Sequence, residues 1–421
     1  MKHAIVTPFS GAGTVCPPSS KSELHRILIA ASLADQGTEI KCSHLSDDVH
    51  ATMRCLTALG AEIKESESGL LVSPIREHPV NLPILDCWES GSTLRFLLPV
   101  SAALGGASLT GKGRLPQRPI NELKAAMEAH GAVFSGEMLP FTVSGRLTGG
   151  DFRLPGNISS QYITGLMLAA PLIGETVIHI DGLLQSADYV YMTKDVMRQF
   201  GIDVSLDGQN VMIRGAQKYR SPKVINAGGD WSAAAFPLCL GALGGPVTVR
   251  SVNKDSIQGD RRVAEILDKA GAEIHQTQDT CSISRKRLRG ISIDASDIPD
   301  LVPVLAALMM HAEGRTIFTH AERLRLKESD RLATTCAMVN SLGGHAKIHR
   351  DKLVIEGKEK CPGGIVAGAN DHRIVMASLI GASACENPST ITDAEAVAKS
   401  WPSFFEDMQS LGGNVHVVDV R

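Results

Sequence analysis

Three short stretches of this 421-residue chain concentrate side chains that bind anions and move protons. Residues 17–26 read Pro-Pro-Ser-Ser-Lys-Ser-Glu-Leu-His-Arg, residues 326–331 read Leu-Lys-Glu-Ser-Asp-Arg, and residues 370–373 read Asn-Asp-His-Arg. Lys and Arg in such runs neutralise oxyanions, and Arg matches planar carboxylate and phosphate groups in bidentate fashion. Binding anions needs no carboxylates. Glu328 stands among these cations, and Asp300 lies ahead of an apolar run. The pattern suits a site for a highly charged anionic substrate, against a merely solvated helix face.

Composition makes local cations necessary. The formal net charge is −3 and the pI about 6.5, so no global basic field serves nucleic acid or an anionic membrane. Hydrophobic residues make up 43% and charged residues 21% of the chain, an ordinary globular balance. At roughly 150 residues per domain the length suggests two or three domains. The nine cysteines form no Cys-x-x-Cys pair and are odd in number, which fits neither zinc nor a disulfide framework. Buried, reduced thiols in a cytosolic protein are expected. No apolar run reaches ~18 residues and the first fifteen residues lack a signal-peptide core, so a soluble, unprocessed chain is expected.

The elements that position these residues repeat. A Gly follows a helical pattern and leads into a β-like run at Gly60, Gly131, Gly201, Gly271, Gly343 and Gly412, at intervals of 71, 70, 70, 72 and 69 residues. Each marks a helix end, where only Gly enters the left-handed region without a Cβ penalty. In the first five copies a second β-like run follows, as a hairpin would require. About 40 residues upstream of each Gly, a polar start leads into a small or apolar helix body, for example "PSSKSELHRILIAASLA" and "NDHRIVMASLIGAS". A third, more polar helix lies between the two, starting for example at "RPINELKAAM" and "KESDRLATTC". Three such units fill about 210 residues, so two similar domains are expected. Asp47 and Asp48 open the polar helix of the first unit and are expected to cap it.

Helix starts carry unpaired N–H groups and the positive end of the helix dipole, which makes them anion sites. Charged side chains gather there: Lys21, Arg26, Arg95, Asp300, His372 and Arg373 at the apolar helices, and Arg118, Lys327, Glu328, Arg331 and Lys399 near the polar ones.

Taken together, "PPSSKSELHR", "RPI", "SSQ", "LKESDR", "NDHR" and "AKSWPSF" resemble the 5-enolpyruvylshikimate-3-phosphate (EPSP) synthases, a family of enolpyruvyl transferases, in that order and over residues 17–405. The resemblance implies an α/β fold of two similar domains, each of three βαβαββ repeats in an inverse α/β barrel-like arrangement. Residues 17–227 would form one domain and residues 1–16 plus 228–421 the other, with the active site in the cleft between them. It implies transfer of the enolpyruvyl group of phosphoenolpyruvate to the 5-hydroxyl of 3-phosphoshikimate with release of phosphate, a step toward chorismate and the aromatic amino acids. An unneutralised like-charge contact at ~4 Å would cost on the order of 4 kcal/mol at an effective dielectric of 20, which explains a ring of cations.

Residue by residue, the resemblance assigns 3-phosphoshikimate to Lys21, Ser22, Arg26, Ser159, Ser160, Gln161, Ser186, Asp300, Arg323 and Lys327. Phosphoenolpyruvate would meet Lys21, Gly91, Arg118, Gln161, Arg331, Arg373 and Lys399, with Tyr189 and His372 nearby. Asp300 would act as base and Glu328 as acid, with Lys21 assisting. No metal or organic cofactor is implied, and the partners are small molecules, with glyphosate as a competitor of phosphoenolpyruvate. A cytoplasmic monomer is expected.

Two positions depart from the family pattern. Glu89 stands where many members have Asn and calls for a cation such as Arg95, while Arg323 replaces an Asn of some members. The related UDP-N-acetylglucosamine enolpyruvyl transferases carry a Cys before their Arg-Pro-Val, and "LTGKGRLPQRPI" has none. A binding protein that keeps the fold but not catalysis is the rival from another class. "GASLTGKG" at 106–113 nearly matches a phosphate-binding P-loop, but Gly113 replaces the required hydroxyl. Two domains with opposed cations are expected to close on substrate. Small-angle scattering should show compaction when both substrates are added; an unchanged radius of gyration would count against closure.

Overall fold

The computed structural model describes residues 2–76 and 81–420. The chain divides into two compact units, Ser19–Ala227 and Met1–Pro18 with Gly228–Arg421. The first contains helices α1 (Lys21–Ser32), α2 (Asp47–Ala58), α3 (Gly91–Ala103), α4 (Asn121–Glu128), α5 (Ser160–Ile173) and α6 (Ala187–Gln199). The second contains α7 (Trp231–Leu243), α8 (Val263–Lys269), α9 (Val302–Met309), α10 (Arg331–Ser341), α11 (His372–Ser383) and α12 (Phe404–Ser410).

The odd-numbered helices are apolar almost all round, and such helices must be buried. In the first unit α1, α3 and α5 pack on one another, and in the second α7, α9 and α11 do the same. Every residue of α7 and of α11 is buried. The closest approach joins α3 to α5. Pro99 has no N–H to give the Arg95 carbonyl one turn earlier, and Gly165 of α5 lies so near that carbonyl that a Cβ would overlap it.

Among the described residues there are six four-stranded sheets, one per repeat. In the second repeat Ile84–Asp86 runs parallel to Ala107–Thr110, which pairs antiparallel with Phe141–Gly145, and that strand in turn with Ala132–Phe134. The repeats are not all contiguous in sequence. The strand preceding α1, Gly13–Val15, pairs with Val247–Arg250 of the fourth repeat. The first repeat takes its parallel strand from Val224–Asn226. Lys2–Val6 completes the sixth sheet between Ser389–Ile391 and Val415–Asp419.

The six repeat glycines, Gly60, Gly131, Gly201, Gly271, Gly343 and Gly412, all have φ between +77° and +107°. Each repeat has a second left-handed residue shortly after its central strand: His44, Gly113, Gly182, Ser251, His320 and Asp393. Four of these are not Gly, so their turns could not be read from residue type. The P-loop-like stretch lies on the Ala107–Thr110 strand and the turn after it, where a Cβ on Gly113 would meet the Glu89 carboxyl group. All nine cysteines are free; contrary to the expectation of uniform burial, Cys16 is exposed and Cys42 and Cys336 are half-buried.

A substitution pair separates backbone strain from crowding. A Cβ on Gly201 (φ +77°) meets nothing nearer than 3.6 Å, so Gly201→Ala should cost about 1–2 kcal/mol from the left-handed backbone alone. At Gly343 (φ +87°) the Cβ would overlap the Pro362 ring, so Gly343→Ala should lower the urea midpoint further.

Candidate active site

In the Ser19–Ala227 unit the helix starts are built alike. Ser20, Ser90 and Ser159 cap α1, α3 and α5, each accepting a backbone N–H of the first turn. Ser186 stands ahead of α6 in the left-handed conformation and is buried. Because the helices pack closely, their starts share hydrogen bonds. Gln161 of α5 donates to Ser92 Oγ of α3 (2.9 Å) and accepts from Arg95 Nη1 (2.8 Å). Arg95 also donates to the Pro119 carbonyl (3.0 Å), beside Arg118. A Cβ on Gly91 would overlap the Arg118 guanidinium and lie 2.9 Å from Arg95 Nη1, so this glycine makes room for two cations.

Lys21 and Arg26 extend the cluster along α1. Lys21 Nζ lies 2.8 Å from Asp48 Oδ2. Arg26 is buried and donates to Thr193 Oγ1 (2.8 Å), the Ser22 carbonyl (2.6 Å), Thr164 Oγ1 (3.2 Å) and the Tyr189 carbonyl (3.1 Å). It also lies over the Phe96 ring, 4.8 Å from the centroid. Burial pushes its guanidinium down to about 10. Arg26 thus ties α1 to α5 and α6 from inside the wall. The expectation for Asp48 needs correction. Ser46, not Asp48, caps α2, and Asp48 is the partner of Lys21.

In the other unit one carboxylate meets three cations. Asp300, two residues before α9, lies 2.7 Å from Arg331 Nη1, 3.3 Å from Lys327 Nζ and 3.4 Å from Arg373 Nη2. Arg331 is buried and also gives Nε and Nη2 to the two oxygens of Asp371, both at 3.0 Å. Burial works against the charge on Arg331, but Asp371, Asp300 and Glu328 outweigh it and raise its proton affinity. Glu328 Oε2 approaches His372 Nδ1 at 2.7 Å and Arg331 Nη2 at 3.7 Å. Lys399, at the end of a short 3-10 helix, donates to the Asn370 carbonyl (2.6 Å) just ahead of α11. Arg323 lies within the 3-10 helix Glu322–Leu326, and Arg325 pairs with Asp330, the cap of α10 (2.9 Å).

Asp371 went unrecognised in the sequence although it sits inside "NDHR". It caps α11 through the Arg373 N–H (3.0 Å), accepts from Ser329 Oγ (2.8 Å) and holds Arg331. Its burial would raise its proton affinity, but Arg331 prevails and the carboxyl group stays below its ordinary range. Glu328, Asp371 and His372 offer ligand atoms within 4.8 Å of one another, a spacing that suits a metal ion. The Arg331 guanidinium already supplies positive charge there, at 3.0 Å from Asp371 and 3.7 Å from Glu328. A cavity of about 1160 Å³ in this unit lies at the other ends of α7, α9 and α11, beside Leu243, His311 and Ser383, and gathers none of these residues.

Repeated βαβαββ units with cationic helix starts and a carboxylate set among cations define the class: this is the two-domain enolpyruvyl transferase fold. The model of the family described as EPSP synthase (3-phosphoshikimate 1-carboxyvinyltransferase) matches residues 8–408. A 3-phosphoshikimate 1-carboxyvinyltransferase of Clostridium kluyveri is 40% identical over 99% of this chain and 98% of its own. One from Clostridium acetobutylicum is 39% identical over 98% and 97%. A solved EPSP synthase from Acinetobacter baumannii superposes with a TM-score of 0.83 at 25% identity, covering all of both chains. The chain belongs to the EPSP synthase family.

Asp371 tests the charge network directly. Asp371→Ala should destabilise the protein by about 3–5 kcal/mol at pH 7, because it strands a buried guanidinium. The charge contribution is fully present above the unfolded-state value of about 3.9 and is lost as pH falls through the lower native value. Urea denaturation of wild type and Asp371→Asn should therefore give a gap that is constant from pH 5 to 7 and narrows below pH about 4.

Proposed function

We propose that this chain transfers the enolpyruvyl group of phosphoenolpyruvate to the 5-hydroxyl of 3-phosphoshikimate, giving 5-enolpyruvylshikimate 3-phosphate and phosphate. The observation that carries the reading is Asp300 in ion-pair contact with Lys327, Arg331 and Arg373. A proton acceptor is thereby held among the cations that a polyanionic substrate pair requires.

In this reading Ser159, Ser160 and Ser186 take the 3-phosphate, and Ser22, Gln161, Lys327, Arg323 and the remaining N–H of Arg26 take the carboxylate and hydroxyls of the shikimate ring. Arg118, Arg331, Arg373 and Lys399 neutralise phosphoenolpyruvate, with Lys21 and Gln161 beside it. Gly91 leaves the room that phosphoenolpyruvate, or glyphosate in its place, occupies. Each arriving anion replaces a carboxylate as partner of a cation, which spares the cost of stranding either charge.

The reaction then runs in two proton-coupled steps. Asp300 accepts the 5-hydroxyl proton as that oxygen bonds to C2 of phosphoenolpyruvate, and Glu328 gives a proton to the methylene carbon. A tetrahedral adduct results. Loss of a proton from the new methyl group to Glu328 and rupture of the bond between C2 and the phosphate oxygen restore the double bond, and the phosphate leaves with the proton that Asp300 had taken. His372, against Glu328, orients that carboxyl group, and Lys21 assists proton movement from its pair with Asp48. Lys and Arg carry the charge, so neither metal nor organic cofactor is called for, and the enzyme works as a cytoplasmic monomer.

Steady phosphate release from the two substrates is the test. Asp300→Ala should lower turnover about 10²–10⁴-fold while 3-phosphoshikimate still binds, since it leaves the three cations in place. Tight binding of 3-phosphoshikimate by wild type without any phosphate release would favour the binding-protein reading and sink this one.

A further inference from the structure

Three polar side chains buried where α1, α2 and α3 meet have no role so far: His25, Thr52 and Thr93, none with any exposed surface. Buried polar groups need partners, and these find one another. His25 Nδ1 lies 2.7 Å from Thr52 Oγ1, which lies 2.7 Å from Thr93 Oγ1. Thr93 Oγ1 donates to Ser90 Oγ (2.8 Å), and the Thr93 N–H reaches the same oxygen (3.2 Å) in capping α3. The chain thus runs from within α1, through α2, to the residue before Gly91. Thr93 Oγ1 also stands 3.4 Å from the carbonyl of Asp48, whose side chain holds Lys21.

The order of donors along this chain follows from its ends. Once Thr93 donates to Ser90, its oxygen must accept from Thr52, and Thr52 must accept in turn from His25. His25 therefore carries its hydrogen on Nδ1. Its Nε2 is buried and meets no partner among the described residues, which suits a bare acceptor. The opposite order would strand an N–H there, a costlier arrangement. Burial above all, and then the neighbouring Lys21 and Arg26 charges, keep the imidazole well below its ordinary range, so the ring stays neutral.

We propose that His25, Thr52 and Thr93 are positioning residues of the enolpyruvyl transfer, which fix the first turn of α3 and with it the room at Gly91. The inference rests on the reading above, in which Gly91 makes room for phosphoenolpyruvate. That room has little slack: a Cβ on Gly91 would overlap the Arg118 guanidinium and lie 2.9 Å from Arg95 Nη1. The next residue, Ser92, accepts from Gln161 (2.9 Å), which meets the same substrate in that reading. A small shift of the turn changes both contacts at once. Ser90 by itself caps the helix; a fully satisfied chain of directed hydrogen bonds holds that cap in a single place.

The test is a pair of variants at one position. Thr93→Val keeps the shape of the side chain and removes the hydroxyl, whereas Thr93→Ser keeps the hydroxyl. In Thr93→Val the KM for phosphoenolpyruvate and the inhibition constant of glyphosate should each rise about fivefold, the order of one net hydrogen bond, with kcat within about twofold of wild type. Calorimetric affinity for 3-phosphoshikimate should not change, and Thr93→Ser should restore both constants. An unmoved KM, or a rise that Thr93→Ser does not reverse, would mean a merely structural role and overturn the proposal. Should Thr93→Val fail to fold, Thr52→Val breaks the chain one link earlier and is read in the same way. Nitrogen-15 NMR of the histidines in wild type decides the chain itself: a hydrogen on Nδ1 of His25 supports it, and one on Nε2 overturns it. Absence of phosphate release from wild type sinks the functional reading instead, and the His25 resonance still decides the chain.

Discussion

A helix buried on all sides leaves only its ends to meet anything polar. That constraint organises both units. Three apolar helices pack together in each, and their first turns keep the N–H groups that the body of the helix cannot satisfy. Serines 20, 90 and 159 and aspartates 230 and 371 take one such N–H each. Close packing is what lets neighbouring starts share partners. Gly165 against the Arg95 carbonyl brings α5 close enough for Gln161 to bond both Ser92 and Arg95. A larger residue there would part the helices and the bonds with them.

Burying cations among these helix starts is costly unless each has a carboxylate, hydroxyl or carbonyl to meet. The two units meet that cost differently. In Ser19–Ala227 Arg26 leans on threonine hydroxyls and carbonyls and Arg95 on Gln161, while Lys21 meets the Asp48 carboxylate. In the other unit Asp300, Asp371 and Glu328 surround Arg331. A cation already paired with a carboxylate can exchange it for a substrate oxyanion at little net cost. In the proposed function, that exchange would let one arrangement serve both stability and binding.

Much of this was legible in the sequence because its causes are local. The six repeat glycines stand where a helix must end in the left-handed region, and their regular spacing alone separates six units. The starts of α1, α5 and α11 follow from capping residues ahead of apolar runs. Lys327, Glu328 and Arg331 attract attention by density of charge. Asp48 and Asp371 do not, because an acidic residue at a helix start reads first as a cap. Asp371 is indeed a cap and holds Arg331 as well, whereas Asp48 yields the cap to Ser46.

The sequence by itself determined the repeat, the order of elements within it and the kinds of charge at the helix starts, since these depend on residues a few positions apart. Only the tertiary structure decided which strands complete which sheets. Gly13–Val15 lies next to α1 in sequence yet joins the fourth repeat, because parallel pairing depends on where the chain returns rather than on what it precedes. It likewise decided which acid meets which cation. Lys21 and Asp48 are separated by 27 positions, and Arg331 and Asp371 by 40. No local rule pairs charges at such distances; packing of the helices that carry them does.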